Sequence, residues 1–373
     1  MLWLNFAPLV SFIQIKYGVS ELMVSSLLLS FPFLYVLLSL HSGTMIDKKG
    51  YRYVIILGSI ISAAFACLRI VDNNFCILLI GQTGIAVGQP YIINGISKLI
   101  SDWFSKEHSA MATGIGTAGM LIGMALGMGL TPMLNDSLGF QKNMIVFAII
   151  SVIVTLIFIF FGKENNLEKS EVVAKSAMIE IKALLKSRTL ILLFMIAFLA
   201  LGFFNGLTTW LEPILKPNEI NAEQVGMIGA YIILGGILGS VIIPALSDKF
   251  RMRKPFLILG CIVTIGLLFP LCNGSSITLL SLLGGLIGFF FLPGYALLLS
   301  MCEEVSGAEK AGTATGVLML AGNAGAVVVI ILMPLVKGDA LLWTNAIYLM
   351  LILLIITLIL AIRLKETFPN SKV

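Results

Sequence analysis

Amides at the centres of long apolar runs are the first residues in this sequence that could do chemistry. Gln89 stands near the middle of the run 75–101, and Asn323 stands at the middle of the run 310–336. An amide both donates and accepts hydrogen bonds, so it can orient a polar group of a bound solute. We therefore predict that both amides contact a solute at the same depth. The alternative is a hydrogen bond between helices with no ligand role.

Aromatic residues in the same runs offer ring faces to an organic cation. Phe204 and its neighbour Asn205 lie near the centre of the run 189–216. A cation over an aromatic ring gains about 0.5–2 kcal/mol, although packing or lipid contact is the alternative role of such rings. The predicted solute-binding residues are Trp3, Gln89, Tyr91, Phe204, Asn205, Tyr295 and Asn323.

Titratable side chains within the apolar runs are few. Glu212, close to the end of its run, is the candidate for coupling to a proton or pairing with a cation, and a hydrated carboxylate at the membrane surface is the alternative. His41 is isolated, which favours a structural hydrogen bond. The cysteines form no close pair, so no metal site is predicted. The sequence shows no paired acids, nucleophile triad or phosphate loop, and we predict no enzyme and no cofactor.

The length of the apolar runs explains why polar side chains are rare. The chain has 373 residues, of which 58% are hydrophobic and 12% charged, and its mean hydropathy is +1.04. A helix needs about 20 apolar residues to cross a bilayer, and these runs lack the alternation of barrel strands. We predict an all-α polytopic membrane protein with twelve transmembrane helices, near residues 1–17, 22–46, 53–72, 75–101, 109–134, 143–162, 189–216, 222–247, 255–273, 276–301, 310–336 and 341–363.

The first of these runs is short for a transmembrane helix. Residues 1–17 would extend roughly 25 Å as a helix, and they contain Pro8. We expect in-frame coding sequence upstream of Met1 to complete this helix.

The basic residues predict the orientation in the membrane. The chain has 24 Lys and Arg residues. If the loop 43–52 is cytoplasmic, only five of them lie on the outer side: Lys16, Arg69, Lys142, Lys216 and Lys337. Such an asymmetry follows the positive-inside rule. We therefore expect a multi-pass protein of the inner or plasma membrane with cytoplasmic termini and a cytoplasmic linker. The net charge of +5 reflects this topology and not nucleic-acid binding.

A charged loop occurs twice, once in each half of the chain. The segment "GTMIDKKGYR" begins at Gly43, and "PALSDKFRMRK" begins at Pro244. Asp47 and Asp248 are 201 positions apart (248 − 47). A repeat at this distance indicates two homologous six-helix halves. We predict three parts: an N-terminal bundle, a cytoplasmic linker and a C-terminal bundle, at residues 1–162, 163–188 and 189–373.

The first copy of this loop resembles the signature G-x-x-x-D-[RK]-x-G-x-[RK] of the major facilitator superfamily of transporters. Gly43 would permit close packing near the helix end, and Gly50 would permit the turn. The resemblance implies that Asp47 holds the two halves together at the cytoplasmic side when the transporter is open outward. The implied gating residues are Gly43, Asp47, Arg52, Asp248 and Arg253. A plain cytoplasmic loop is the alternative.

Further motifs resemble one family within this superfamily, the feline leukaemia virus subgroup C receptor family. They are the Gln-Pro-aromatic step at 89–91, the following "WF" loop, the acidic residues ending the run 276–301, and the tryptophan in "LWLNFAPL". The resemblance implies uptake of choline and ethanolamine or, as earlier proposed for animal members, haem export. The chain departs from the family in two places: Asn323 stands where Gln is common, and Glu212 where an amide is usual.

Together these features predict a secondary transporter that moves a small organic solute by alternating access, with an organic cation such as choline as the expected solute. The alternatives are a non-transporting receptor on the same fold and a carrier of haem-like or organic anionic compounds. Haem would need an axial ligand, and neither His lies centrally. We expect a monomer whose partners are the solute and the lipid bilayer.

Overall fold

The computed structural model describes residues 1–71, 73–104, 106–164, 183–307, 310–337 and 342–368. Within these ranges the side chains of residues 47, 97, 101 and 106–114 are not described. The predicted gating side chain of Asp47 and most of the predicted linker 163–188 therefore lie outside the described residues.

The chain divides into two compact units, Met1–Glu171 and Val172–Val373. The described helices of the first unit are α1 (Val10–Tyr17), α2 (Glu21–Lys49), α3 (Tyr51–Leu68), α4 (Phe75–Trp103), α5 (Lys106–Leu138) and α6 (Phe140–Phe161). Those of the second unit are α7 (Arg188–Leu215), α8 (Ala222–Phe250), α9 (Lys254–Asn273), α10 (Ile277–Phe291), α11 (Pro293–Ser306), α12 (Ala311–Lys337) and α13 (Thr344–Arg363).

Eleven helical spans in the described part of the chain are long and apolar enough to cross a membrane. Helices α10 and α11 together form one of them, because Pro293 starts a new helix directly after Leu292. The run 1–17 accounts for the difference from the twelve predicted helices, since α1 has only eight residues and follows a short 3-10 turn. That turn contains Pro8, whose missing N–H favours a helix start over a continuous helix.

Side chains at the helix starts fix several of these boundaries. Ser20 accepts a hydrogen bond from the N–H of Met23 at the start of α2, and Asn74 does the same for Ile77 in α4. Asn221 and Gln224 form a reciprocal capping box at the start of α8. Such caps satisfy backbone N–H groups that have no partner within the helix. The polar residues between the apolar runs therefore act as helix boundaries.

The first unit is organised around α4, which packs against both α2 and α3. Glycines allow the backbones of α3 and α4 to touch, because a methyl group at Gly58 would come within 2.6 Å of the carbonyl oxygen of Gly88. Small residues at such crossings are typical of membrane helix packing. Gln89 directly follows Gly88 and so lies next to this close contact between the two backbones.

In the second unit α7 packs against α12, and α8 packs against α10. A methyl group at Gly202 would come within 3.0 Å of the carbonyl oxygen of Gly325 and within 2.7 Å of a methyl carbon of Val329. The two backbones therefore cross in close contact. Asn205 follows Gly202 by three residues, and Asn323 precedes Gly325 by two, so both amides flank this crossing.

Candidate functional site

Trp3 lies beside α2 in the first unit and is half-buried. Its ring stacks on Phe31, with ring centres 4.1 Å apart and an interplanar angle of 15°. Its indole Nε1 donates to the carbonyl oxygen of Leu28 at 3.4 Å. Phe31 therefore covers one face of the indole ring. The hydrogen bond to Leu28 fixes the orientation of the ring and hence of its second face.

Gln89 is half-buried in α4, where Pro90 follows it. Its amide makes no hydrogen bond to any residue that the structure describes. An amide in a membrane helix without a partner is unfavourable, because its polar atoms have lost water. This side chain is therefore available to a ligand or to water.

Polar side chains connect α2 with α4 on the C-terminal side of Gln89. The hydroxyl of Tyr91 lies 2.9 Å from Nδ1 of His41. Asn94 donates to Oγ of Ser42 at 2.6 Å and accepts from the hydroxyl of Tyr35 at 3.1 Å. The hydroxyl of Tyr91 is thus engaged within the protein. Sequence reasoning missed Asn94, although a lone amide in an apolar run was a usable signal.

The two amides of the second unit have the same local arrangement. Nδ2 of Asn205 donates to the carbonyl oxygen of Leu201 at 2.9 Å, and Nδ2 of Asn323 donates to that of Met319 at 2.9 Å. Each bond returns to the preceding turn of the same helix. In the described part of the unit, neither side-chain carbonyl oxygen receives a hydrogen bond. Both oxygens remain able to accept from a solute.

The predicted aromatic residues of the second unit differ in their surroundings. Phe204 is buried in α7, and its neighbour Phe203 packs edge-on against Phe291 with ring centres 4.9 Å apart. Tyr295 is half-buried in the first turn of α11 and packs against an apolar cluster that includes Leu298 and Met301. Tyr295 therefore belongs to the packing between helices of this unit.

Glu212 is almost fully buried in α7, with 5% of its surface exposed. Every residue of α7 from Gly202 to Leu215 is buried. This environment does not fit a hydrated carboxylate at the membrane surface. Burying an ionisable side chain in a membrane helix costs free energy. Such a residue is therefore a candidate for a functional role.

The repeated loop of the second unit is an ion-pair network centred on Arg253. Its guanidinium pairs with Asp248 and, at 3.1 Å, with Glu304, and it donates to Oγ of Ser247 at 3.1 Å. The side chains of Arg253 and Glu304 are only 11% and 14% exposed. The pair with Glu304 is therefore shielded from water and stronger than an exposed ion pair, whereas Asp248 is largely exposed. Arg253 thus ties the end of α8 to the end of α11.

The loop of the first unit uses Arg52 differently. Its guanidinium donates to the carbonyl oxygens of Gly162 and Ile159, the latter at 3.2 Å. These carbonyls belong to the end of α6, so Arg52 ties α3 to α6. Gly50 adopts φ +84°, as predicted for the turn. A methyl group at Gly43 would meet no described atom within 4 Å, so the close packing predicted there is not seen.

Two acidic residues that the sequence did not single out complete these loops. Glu164 accepts the backbone N–H of Arg52 at 3.0 Å, and Glu366 accepts that of Arg253 at 2.9 Å. Trp103, in the predicted "WF" loop, donates to the hydroxyl of Tyr51. The described residues contain no group of three His, Cys, Asp or Glu residues able to hold a metal ion.

Comparison with known proteins gives one family match. The sequence profile of the Major Facilitator Superfamily matches residues 1–329 and 212–373. An uncharacterized protein of Archaeoglobus fulgidus is 33% identical over 223 aligned residues, covering 60% of this chain and 100% of that protein. The choline/ethanolamine transporter FLVCR1 of Felis catus is 25% identical over 366 residues, covering 90% of this chain and 64% of the transporter. The chain thus spans less than two thirds of that relative.

A solved structure shares the fold. The nucleoside transporter NupG superposes with a TM-score of 0.78, covering 97% of this chain and 96% of that one. The two sequences are only 13% identical, so the likeness concerns the fold alone.

Proposed function

The chain belongs to the major facilitator superfamily, and we propose that it carries a small organic cation with a polar group, such as choline, across the membrane by alternating access. The observation that carries this proposal is the half-buried amide of Gln89, which has no hydrogen-bond partner among the described residues. A transporter site needs such uncommitted polar groups, since they pair only when the solute is bound. The similarity to a choline/ethanolamine transporter over 90% of the chain supports the choice of solute.

Recognition of the cation is assigned to aromatic faces and amide groups. In the first unit the ring of Trp3, braced by Phe31, offers a face to a quaternary ammonium group, and Gln89 orients the hydroxyl. In the second unit we propose Phe204, Asn205 and Asn323 as the corresponding residues. An ammonium over an aromatic face is stabilised by about 0.5–2 kcal/mol, so no fixed carboxylate is required.

The two repeated loops are proposed as gating elements on the cytoplasmic side. Asp47 and Arg52 serve the N-terminal bundle at 1–162, and Asp248 and Arg253 serve the C-terminal bundle at 189–373, with 163–188 as the linker. The ion pairs of Arg253 with Asp248 and Glu304 support this role, because they join two helix ends and can break when the conformation changes. The excess of basic residues on this side supports cytoplasmic termini in an inner or plasma membrane.

Glu212 is proposed as the coupling residue. This residue is 5% exposed and lies in α7, seven residues after Asn205. A buried acid in a transporter helix can carry a proton or pair with a cation in one conformation and not the other. A titratable carboxylate is one group through which an ion gradient can drive solute uptake.

The experiment that tests the proposal is uptake of labelled choline and ethanolamine into liposomes containing the purified chain. We expect saturable uptake that tetramethylammonium inhibits, and a roughly fivefold weaker apparent affinity for choline in Gln89→Ala. Gln141→Ala is the matched control, because Gln141 is exposed and lies outside α4. Uptake of an organic anion or of haem without uptake of either amine would contradict the proposal.

A further inference from the structure

Arg69 lies at the end of α3, and its side chain is completely buried in the first unit, with 0% of its surface exposed. Gly81 in α4 leaves room for it, because a methyl group there would come within 2.5 Å of Cγ of Arg69. A buried guanidinium is costly unless charged or polar partners compensate the lost water. The groups that contact Arg69 therefore determine whether the free-energy cost of burying its charge is compensated.

Two neutral groups contact one side of the guanidinium. Nη1 donates to Oε1 of Gln82 at 2.6 Å, and the ring centre of Phe6 lies 5.0 Å from the guanidinium carbon. Gln82 is itself fixed, because its Nε2 donates to the carbonyl oxygen of Leu2 at 3.1 Å. These contacts orient the guanidinium but bring no negative charge to it.

The other side of the guanidinium makes no hydrogen bond to any residue that the structure describes. Nε and Nη2 of Arg69 are both buried and lack a partner there. Both amide atoms of Asn5, which precedes Phe6 and is 0% exposed, also lack partners within the described part of the chain. Among the described residues, no carboxylate forms an ion pair with Arg69. A buried guanidinium with two unsatisfied N–H groups is rare in folded proteins.

The geometry of the free donors selects a ligand. The N–H groups on Nε and Nη2 of an arginine point in parallel and match the two oxygens of a carboxylate. A halide ion cannot give each N–H its own acceptor atom. We propose that Arg69 forms a binding site for a small carboxylate anion of the size of formate or acetate, held by its Nε and Nη2 donors. The bound anion neutralises the guanidinium and occupies its unpaired fork.

This proposal does not depend on the nature of the transported solute, so it is tested on the purified full chain in detergent. The thermal midpoint Tm is measured against formate concentration, with chloride keeping the ionic strength constant. We expect a saturable rise in Tm on the order of 2 °C with formate and acetate, together with broadening of the carbon-13 line of labelled formate. A response equal to that of chloride, or no response, would overturn the proposal, and this result needs no variant.

Variants then locate the site. Arg69→Lys keeps the charge but removes the fork, so the formate affinity should fall about tenfold or more, whereas Lys142→Gln, at an exposed basic residue, should leave it unchanged. Asp72 follows Arg69 by three residues in the sequence and lies outside the described residues. If formate does not raise the Tm of the wild type but raises that of Asp72→Asn, the carboxylate of Asp72 occupies the fork of Arg69. The proposal is then wrong.

Discussion

The carboxylate of Glu366 accepts the backbone N–H of Arg253 at 2.9 Å, and its second oxygen accepts the next N–H along the chain at 3.1 Å. Both N–H groups lie at the start of α9, whereas Glu366 follows the end of α13. Glu164, which follows α6, makes the corresponding contact with Arg52 in the first turn of α3 at 3.0 Å. In each unit, a glutamate three residues after the end of the last described helix therefore caps the helix that follows the charged loop. A carboxylate in this place satisfies free N–H groups and is favoured by the helix dipole.

Replacement of Glu366 by glutamine tests this cap. Glu366→Gln keeps the size of the side chain but removes its charge, so we expect a loss of roughly 1 kcal/mol of stability and a lower Tm in detergent. Glu303→Gln is the matched control, since Glu303 is exposed. Equal melting of the two variants and the wild type would show that the cap does not contribute to stability.

Asp47→Asn tests the proposed gate of the first unit. The backbone of Asp47 lies in the last turns of α2, and the prediction for its side chain rests on the repeated loop and its similarity to the superfamily signature. We expect normal expression and membrane insertion with slower or one-sided transport, because the loop controls conformation and does not bind solute. Asp136→Asn, at an exposed position, provides the control. Wild-type turnover of Asp47→Asn at equal expression is the result that contradicts the gate.

The positions of the helices were predictable because apolar length and flanking polar residues determine them. The predicted run 255–273 corresponds to α9, which spans Lys254–Asn273, and 143–162 corresponds to α6, which spans Phe140–Phe161. The break before α11 follows from Pro293, which cannot donate the hydrogen bond of a continuous helix. The repeated loops were also visible, because their charges stand out against an apolar background.

Contacts between residues distant in the sequence were not predictable in the same way. Glu164 lies 112 positions after Arg52, and no local pattern marks it as a cap. Arg69 stands at the end of an apolar run, and nothing in the sequence indicates that its side chain is completely buried. Its burial depends on Gly81 and on the turn before α1, and both effects require the three-dimensional packing.

Glu212→Gln tests the proposed coupling. If the buried carboxylate carries the driving proton or cation, this variant should lose uptake driven by an ion gradient but keep the exchange of solute for solute, which needs no net ion movement. The measurement compares both modes in the same liposome preparation. Glu223→Gln, in the first turn of α8, is the control. Gradient-driven accumulation at the wild-type level in Glu212→Gln would assign coupling to another residue.

Trp3→Ala tests the aromatic contact with the cation. Loss of the ring should weaken binding of choline by about 1–2 kcal/mol, close to tenfold in affinity. Trp3→Phe should restore most of this loss, because a ring face remains against Phe31 even though the indole hydrogen bond to Leu28 is gone. Equilibrium binding of choline to purified Trp3→Ala and Trp3→Phe measures the loss and its recovery. Affinity unchanged in Trp3→Ala, combined with tight binding of organic anions, would reject cation recognition by this residue.

Gln89→Ala separates recognition of the hydroxyl from recognition of the charge. The amide can hydrogen-bond the hydroxyl of choline, whereas tetramethylammonium has no group to receive or donate such a bond. We therefore expect the variant to lose affinity for choline by about 1 kcal/mol, roughly fivefold, and to bind tetramethylammonium nearly as well as the wild type. Gln141→Ala should change neither affinity. An equal loss for both ligands would mean that Gln89 supports the packing of α4 at the Gly58–Gly88 crossing and does not contact the solute, because a packing defect weakens every ligand alike.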